Sequence, residues 1–394
     1  MLLKLTLKLL LLVVLVDSSY GVELVSVDEN GVVKSVHINE KVDSSKDMIL
    51  PSFVGNKKSI EESISDKKLF GLFPRNRVIN TENYPERTIG HIGLACSGTL
   101  IGPRHVLTAA HCVYNQEKKS WYSGLYFSPG RVKVGHSPYG IINWKKVYVK
   151  KSYIEGSEEE FSDYALIELK KDIGKLVGWS GVKATKDDGF KSIRILGYPS
   201  DKAIGTMWTV KCEGKLFSDE IAYHCDTYGG MSGSGIRIKD KENTEYVSGI
   251  HTYGSKIQNG GVKITPAVFK VIKAWLDGSL DEDSTSNMGN SKDFDFYSII
   301  FENKCDKEIR TAIAYKNLKG QWVTRAYLRF KPDQMGIVAD TRNLSFFFYG
   351  QTKDKKISWS GDLPITIKGV ELGFRARTIS NKQWGYKRVT FNCK

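Results

Sequence analysis

The chain has 394 residues, of which 41% are hydrophobic and 11% aromatic, and a formal net charge of +14. This composition is ordinary for packed globular cores and excludes global disorder, while the length allows two or three domains. Beyond the first residues, no uninterrupted apolar stretch approaches the roughly 18 residues of a membrane-spanning helix, so no transmembrane segment is expected.

Residues 1–20 have the layout of a secretory signal peptide. Lysines come early, an unbroken apolar run extends from Leu9 to Val16, and small residues follow it. That run is too short to span a bilayer, and the order of these features is typical of a signal for export. We therefore expect a soluble protein that is secreted to the cell exterior.

Residues 21–75 are polar and mixed in charge, with little sustained apolar periodicity. Such a segment between a signal and a folded domain is typical of a propeptide. Cleavage is expected between the Lys67–Lys68 pair and Arg77, which would make the chain a zymogen. A simple N-terminal extension is the alternative.

Residues 76–278 contain short runs rich in Val, Ile, Thr and Tyr, separated by glycines. This rhythm predicts an all-β domain. One stretch, "TPAVFKVIKAWLDG", has apolar residues at helical spacing and ends at Gly278, which predicts a closing C-terminal helix. Residues 279–294 are acidic and rich in serine and are predicted to be a linker. Residues 295–394 contain further strand-like runs and are predicted to form a second, smaller β domain.

The C-terminal domain carries most of the surplus positive charge, with 19 Lys and Arg against 9 Asp and Glu in residues 295–394. Such a surface favours anionic partners such as acidic polysaccharide, membrane headgroups or nucleic acid. The side chains of Trp322, Arg325, Tyr327 and Arg329 could stack on sugars or bases. A plain sandwich core with a solvated basic outer face is the alternative.

Six cysteines, an even number, agree with an oxidising destination where thiols form disulfides. Sequence alone leaves 15 pairings open. A zinc site is the alternative, but no CxxC pair supports it, so we expect neither a metal nor a cofactor. The spacing favours three disulfide bonds: Cys96–Cys112, Cys212–Cys225 and Cys305–Cys393.

Three separated segments hold a histidine, an aspartate and a serine: His111 in "LTAAHC", Asp163 at the head of "DYALIEL" and Ser232 in "GGMSGSG". Each has an ordinary structural explanation when it is taken alone. Together they supply a hydroxyl nucleophile, an imidazole that takes its proton, and a carboxylate that orients the imidazole. The N–H groups of Gly230 and Ser232 could then bind the oxyanion of a tetrahedral intermediate.

The segments "SGTLIGPRHVLTAAHC", "DYALIEL" and "GMSGSG", in the order His, Asp, Ser, resemble the chymotrypsin-fold serine proteases. The resemblance covers roughly residues 76–276. It implies an all-β fold of two antiparallel β-barrels with the catalytic site between them. It also implies that Ser232 is the nucleophile, His111 the general base and Asp163 the orienting carboxylate. Met231 departs from the trypsin-like pattern, which has an aspartate at this position.

A narrower resemblance connects "GYPSDKAIGTMW" and "DTYGGMSGSG" with the V8-type glutamyl endopeptidases. It implies that Thr227 and His251 bind a glutamate side chain of the substrate, because a hydroxyl donor and an imidazole suit a carboxylate. Asp226 competes with this interpretation, since it occupies the position where trypsin-like enzymes have the aspartate that selects Arg or Lys.

The sequence therefore predicts a secreted, monomeric serine endopeptidase that cleaves protein or peptide substrates after Glu. One alternative is Arg or Lys specificity through Asp226. The other is a catalytically silent homologue that binds an anionic surface or polysaccharide through its basic C-terminal domain.

Overall fold

A computed structural model describes residues 22–38, 48–56, 74–93, 96–122, 125–156, 161–255, 257–282, 297–317, 319–379 and 385–393. The predicted signal peptide, the Lys67–Lys68 pair and most of the predicted linker lie outside these residues. Among the described residues, no helix is both long and apolar enough to cross a membrane.

Two closed, antiparallel β-barrels form the centre of the molecule. Before them come β1 (Glu23–Asp28), β2 (Val33–Ile38), β3 (Ile49–Leu50) and β4 (Asn76–Arg77). The first barrel region contains β5 (Ile89–Ile92), β6 (Cys96–Leu100), β7 (His105–Thr108), β8 (Tyr114–Asn115), β9 (Ser120–Trp121), β10 (Tyr126–Pro129), β11 (Ile142–Lys150), α1 (Lys151–Glu155), β12 (Ala165–Leu169) and α2 (Gly174–Val177). Its strand order is β10-β5-β6-β7-β12-β11, and pairing of β10 with β11 closes the barrel.

The second barrel follows directly in the chain. It contains β13 (Val182–Lys183), β14 (Gly189–Gly197), β15 (Trp208–Leu216), β16 (Glu220–Tyr223), β17 (Gly235–Lys239), β18 (Glu245–Gly254) and β19 (Asn259–Lys263). The strand order is β17-β14-β15-β16-β19-β18, and β17 pairs with β18 to close it. In β15 buried Val210 and Leu216 alternate with exposed Lys211 and Lys215, as expected for a strand with one face on a core.

The predicted C-terminal helix is present as α3 (Pro266–Leu276). Thr265 caps it by accepting a hydrogen bond from the N–H of Val268, and Pro266 occupies the first turn, where its missing N–H has no helical partner to lose. Phe269, Ile272 and Trp275 are buried on one face, so the helix packs on the barrel core. These elements confirm the predicted double-barrel fold.

The region before the first barrel contains more regular structure than its sequence suggests. Strand β1 pairs with β11 of the first barrel, and β2 pairs with β20 (Leu280–Glu282), which follows α3. Strand β3 pairs with β13 beside the second barrel. The weak periodicity has a simple cause, because strands of two to six residues that gain their partners from distant parts of the chain leave little pattern in the sequence.

The C-terminal domain is a β-sandwich, which confirms the predicted smaller β domain. Its strands are β21 (Tyr297–Asn303), β22 (Ile309–Lys316), β23 (Trp322–Phe330), β24 (Met335–Thr341), β25 (Ser345–Thr352), β26 (Ser358–Trp359), β27 (Leu363–Ile367), β28 (Val370–Thr378) and β29 (Gly385–Phe391). One sheet has the order β24-β21-β29, and the other has the order β23-β22-β25-β28-β27 with β26 on β25. Buried Phe301, Phe330, Phe348 and Phe391 belong to the core between them.

The sandwich docks on the first barrel. The N–H of Gly135 donates to the carbonyl of Ile337 at 3.2 Å, and the N–H of Ser137 donates to the carbonyl of Met335 at 3.2 Å. Gly336 allows this approach, since a Cβ there would lie 2.2 Å from the carbonyl carbon of Gly135. An apolar cluster that includes Tyr126 of the barrel and Ile337 of the sandwich completes the contact.

Candidate active site

His111 and Asp163 meet at one end of two neighbouring strands. His111 lies in a 3-10 turn just after β7, and Asp163 lies just before β12. These strands pair with Ala165 opposite Thr108, which brings the end of one beside the start of the other. Asp163 accepts a hydrogen bond from the backbone N–H of His111 at 2.9 Å and contacts its Nδ1 at 2.7 Å. The carboxylate thereby fixes both the backbone and the ring, and favours the tautomer with Nε2 free to accept a proton.

Ser232 lies in the glycine-rich turn before β17, and this turn contacts β6 and β7 of the first barrel. The carbonyl of Ser232 accepts a hydrogen bond from the N–H of Ser97 at 2.8 Å. The next residue, Gly233, has φ +81°, and a Cβ there would lie 2.1 Å from the hydroxyl of Thr108. A side chain at Gly233 would push the serine turn away from Thr108, three residues before His111.

Within the part of the chain that the structure describes, no hydrogen bond joins the Ser232 hydroxyl to the His111 ring. Hydrogen bonds of this kind are often long in ligand-free enzymes and shorten when substrate binds. The contacts of the serine turn with Ser97 and Thr108 hold it against β6 and β7 of the first barrel, and β7 leads to His111.

The turn also presents two backbone donors. Gly230 has φ +99°, and a Cβ there would lie 2.4 Å from the carbonyl of Tyr198, so only glycine fits without strain. Its carbonyl accepts a hydrogen bond from the Ser97 hydroxyl at 2.8 Å. Among the described hydrogen bonds, none uses the N–H groups of Gly230 or Ser232. Two fixed donors without an internal acceptor suit an oxyanion that forms in the transition state.

His251 is buried, with 3% of its surface exposed, and lies close to a tyrosine. The Tyr223 hydroxyl lies 2.6 Å from His251 Nδ1, while the carbonyl of Gly260 lies 3.1 Å from the same nitrogen. Burial lowers the pKa of His251 to about 4, so the ring is neutral near pH 7. Burial raises the pKa of Tyr223 well above its usual value, so this hydroxyl keeps its proton. Thr227 is half-buried, and a Cβ at Gly254 would lie 3.9 Å from its hydroxyl.

Asp226 has a cationic partner that sequence reasoning missed. Arg75 Nε donates to Asp226 at 2.9 Å, and its two terminal nitrogens donate to the two carboxylate oxygens of Asp201 at 2.8 Å. Arg75 is 9% exposed, so the Asp226 charge is compensated by a nearly buried guanidinium. No local signal could have found this pair, because Arg75 lies at the end of the predicted propeptide, 151 positions from Asp226.

The structure contains the three disulfide bonds that the spacing predicts: Cys96–Cys112, Cys212–Cys225 and Cys305–Cys393. Cys96, Cys112 and His111 also lie close enough to resemble a metal-ligand cluster. Disulfide sulfurs are not thiolates, so these two cysteines are unsuited to hold a metal. Met231, at the position of the trypsin-like aspartate, is completely buried in the core of the second barrel.

Comparisons with known proteins agree with this geometry. Residues 83–276 match the Trypsin family. Glutamyl endopeptidase of Bacillus licheniformis is 35% identical over 226 residues, which are 54% of this chain and 70% of that protein. A Bacillus subtilis protein named extracellular metalloprotease is 30% identical over 240 residues, 57% of this chain and 75% of that protein. The solved structure of a Glu endopeptidase in complex with MPD is 26% identical and covers 57% of this chain and 99% of that chain, with a TM-score of 0.47.

The double barrel, the match to the Trypsin family and the similarity to the Bacillus licheniformis glutamyl endopeptidase define a serine endopeptidase with the chymotrypsin fold. The chain belongs to the trypsin family and, within it, is similar to the V8-type glutamyl endopeptidases.

Proposed function

We propose that the enzyme hydrolyses peptide bonds through an acyl-enzyme formed on Ser232. His111 Nε2 takes the proton of the Ser232 hydroxyl as its oxygen attacks the carbonyl carbon, and then gives that proton to the leaving amine. Water repeats these steps to release the acid product. The observation that carries the proposal is the double contact of Asp163 with the backbone and ring of His111.

A fluorophosphonate probe tests this assignment on the purified, processed protein. We expect covalent labelling that disappears in Ser232→Ala and persists in Ser234→Ala, because the nearby Ser234 hydroxyl is buried and has no hydrogen-bond partner in the described structure. Labelling of the Ser232→Ala variant equal to that of the wild-type protein would refute the assignment of Ser232 as the nucleophile. A complete lack of labelling would instead favour the catalytically silent homologue.

We propose a preference for Glu before the cleaved bond. Tyr223 keeps its proton and lies 2.6 Å from Nδ1, so donation from this hydroxyl leaves the other ring nitrogen of His251 protonated. A neutral Nε2–H can donate to a glutamate carboxylate without the energetic penalty of charging a buried ring. On the basis of the resemblance, we propose Thr227 as a second donor to the same carboxylate.

A cut at the Lys67–Lys68 end of the predicted window leaves Arg75 in the active enzyme, and its pairing with Asp226 then supports Glu over Arg or Lys. A carboxylate already bound to a guanidinium at 2.9 Å attracts a cationic substrate much less strongly and repels a glutamate less. Matched peptide substrates that differ only in Glu, Gln, Arg or Lys before the cut test this preference. The highest kcat/KM is expected for Glu. A higher value for Arg or Lys would mean that Asp226 selects the substrate despite its partner.

We further propose that the enzyme is secreted as a zymogen and binds acidic polysaccharide through its C-terminal sandwich. Trp322 and Tyr327 are 52% and 51% exposed on β23, with the ammonium groups of Lys316 and Lys368 over their respective rings. Arg325 is less available, because it donates to the carbonyl of Val338. The wild-type protein is expected to be retained on an acidic polysaccharide resin and not on a neutral one. Retention on the acidic resin is expected to fall in Trp322→Ala. Equal retention on both resins would refute it.

A further inference from the structure

We propose that residues 22–56 stay bound to the protease after the chain is cut in the predicted window, so that the active enzyme is a non-covalent assembly of two polypeptides. This goes beyond the proposed zymogen, which states only that the chain is cut and not what becomes of the N-terminal fragment. It rests on contacts of residues 22–38 and 48–56, which are separate from the catalytic residues.

The hairpin of β1 and β2 is paired on both sides. Strand β1 pairs with β11 from Leu24 opposite Lys150 to Asp28 opposite Lys146. Strand β2 pairs with β20 on its other edge. If the hairpin left, two strands of the protease would each lose a neighbour and expose unpaired N–H and C=O groups. The hairpin therefore completes a sheet and does not merely lie on its surface.

The side chains of the hairpin belong to the core of the protease. Leu24, Val25 and Val27 are each 1% exposed and Val36 is fully buried. They share one continuous apolar cluster with residues of the first barrel and of α3. Departure of the hairpin would expose this apolar surface on both partners, which the hydrophobic effect opposes.

Residues 48–56 are held by a different set of contacts. Phe53 and Trp179 exchange backbone hydrogen bonds of 3.0 and 2.8 Å, and their rings lie 4.5 Å apart. The indole N–H of Trp179 donates to the carbonyl of Pro51 at 3.2 Å. Gly178 permits this fit, since a Cβ there would lie 2.3 Å from the carbonyl of Phe53.

A buried cation depends on the same segment. Arg87 is completely buried and donates to the carbonyl of Val54 at 2.6 Å and to that of Val177 at 2.8 Å. Without Val54, a buried guanidinium would lose one of its acceptors, which is unfavourable in a site closed to water. Among the described hydrogen bonds, none joins residues 22–56 to His111, Asp163 or Ser232. The described hydrogen bonds of the segment therefore support the fold and do not involve these three residues.

The test uses the Ser232→Ala protein with a recognition sequence for a site-specific protease inserted in residues 57–73. After complete cutting, we expect the N-terminal fragment to co-elute with the rest of the chain in native gel filtration and to separate only in denaturant. Release of the fragment in native buffer, with the remainder still folded by circular dichroism, would overturn the proposal. This result does not depend on activity, so it is distinct from any failure of the proposed mechanism.

Two substitutions refine the test. Val25→Asp introduces a charge at a buried position of β1 and should cause loss of most of the fragment after cutting, whereas the matched control Asn30→Asp, which adds the same charge at the exposed turn of the same hairpin, should retain it. The natural enzyme provides a second readout, because purified active protein should contain both polypeptides. Active enzyme that lacks the N-terminal polypeptide would equally overturn the proposal.

Discussion

Replacement of Tyr223 by Phe removes one hydroxyl from the proposed specificity site and keeps the shape of the side chain. Tyr223 is 2% exposed, and its hydroxyl is 2.6 Å from His251 Nδ1. When this donor is lost, the Nδ1 proton position becomes favourable, because Nδ1–H can donate to the carbonyl of Gly260 at 3.1 Å. The other ring nitrogen then carries a lone pair, which repels a glutamate carboxylate.

The magnitude follows from the hydrogen bond that the substrate loses. Hydrogen bonds to charged groups contribute about 1.5–3 kcal/mol, which corresponds to a fall of roughly 10- to 150-fold in kcat/KM for a Glu substrate. A Gln substrate at the same position should change much less, because its amide can both donate and accept. The ratio of the two kcat/KM values is therefore the quantity that reports the tautomer.

The assay compares Glu and Gln peptides of otherwise identical sequence with wild-type and Tyr223→Phe enzyme. A parallel unfolding measurement verifies that the variant is folded. Equal falls for both substrates would indicate general damage to the site, and an unchanged Glu-to-Gln ratio would show that Tyr223 does not set the ring's proton. Either result would refute the reasoning.

Three further outcomes are expected. Asp163→Asn should lower kcat by about 10⁴-fold with little change in KM, because the amide no longer holds the imidazole in its productive tautomer. A variant that keeps the wild-type kcat would contradict the proposed triad. Arg75→Ala should raise kcat/KM for Arg and Lys peptides relative to Glu, and Asp226→Asn in the same chain should cancel the gain; no shift in preference would contradict the pairing. Burial lowers the pKa of His105 and of His251 to about 4, so between about pH 6.5 and pH 4 the unfolded chain binds more protons than the folded chain. The free energy of unfolding should therefore fall as the pH drops through this range, by at most about 1.4 kcal/mol per pH unit for each histidine. Denaturant titrations of Ser232→Ala at several pH values measure it, and a flat profile would contradict it.

The strand rhythm was sufficient to predict an all-β domain, and the family resemblance of the histidine, aspartate and serine motifs implied the double barrel. Short spacings predicted Cys96–Cys112 and Cys212–Cys225, whereas Cys305–Cys393, 88 positions apart, followed from the location of the two cysteines near the two ends of the C-terminal domain. The sequence did not predict the partners of Asp226 and His251, since neither Arg75 nor Tyr223 stands in a motif that reveals its partner. Arg75 is 151 positions away from Asp226, and only the folded chain brings the two together. Likewise, the sequence of β1 does not reveal its partner, because β1 pairs with the edge of β11, which lies far away in the chain.

The attachment of the sandwich to the first barrel has a mechanical consequence. Backbone hydrogen bonds at Gly135 and Ser137, together with the close approach of Gly336, join the two bodies and oppose tilting of one against the other. If the sandwich binds polysaccharide as proposed, this attachment would hold the catalytic residues at a nearly constant height and angle above the polymer. The enzyme would then cleave only protein segments at that distance from the polymer. Geometry, in addition to the specificity pocket, would restrict which substrates are cut.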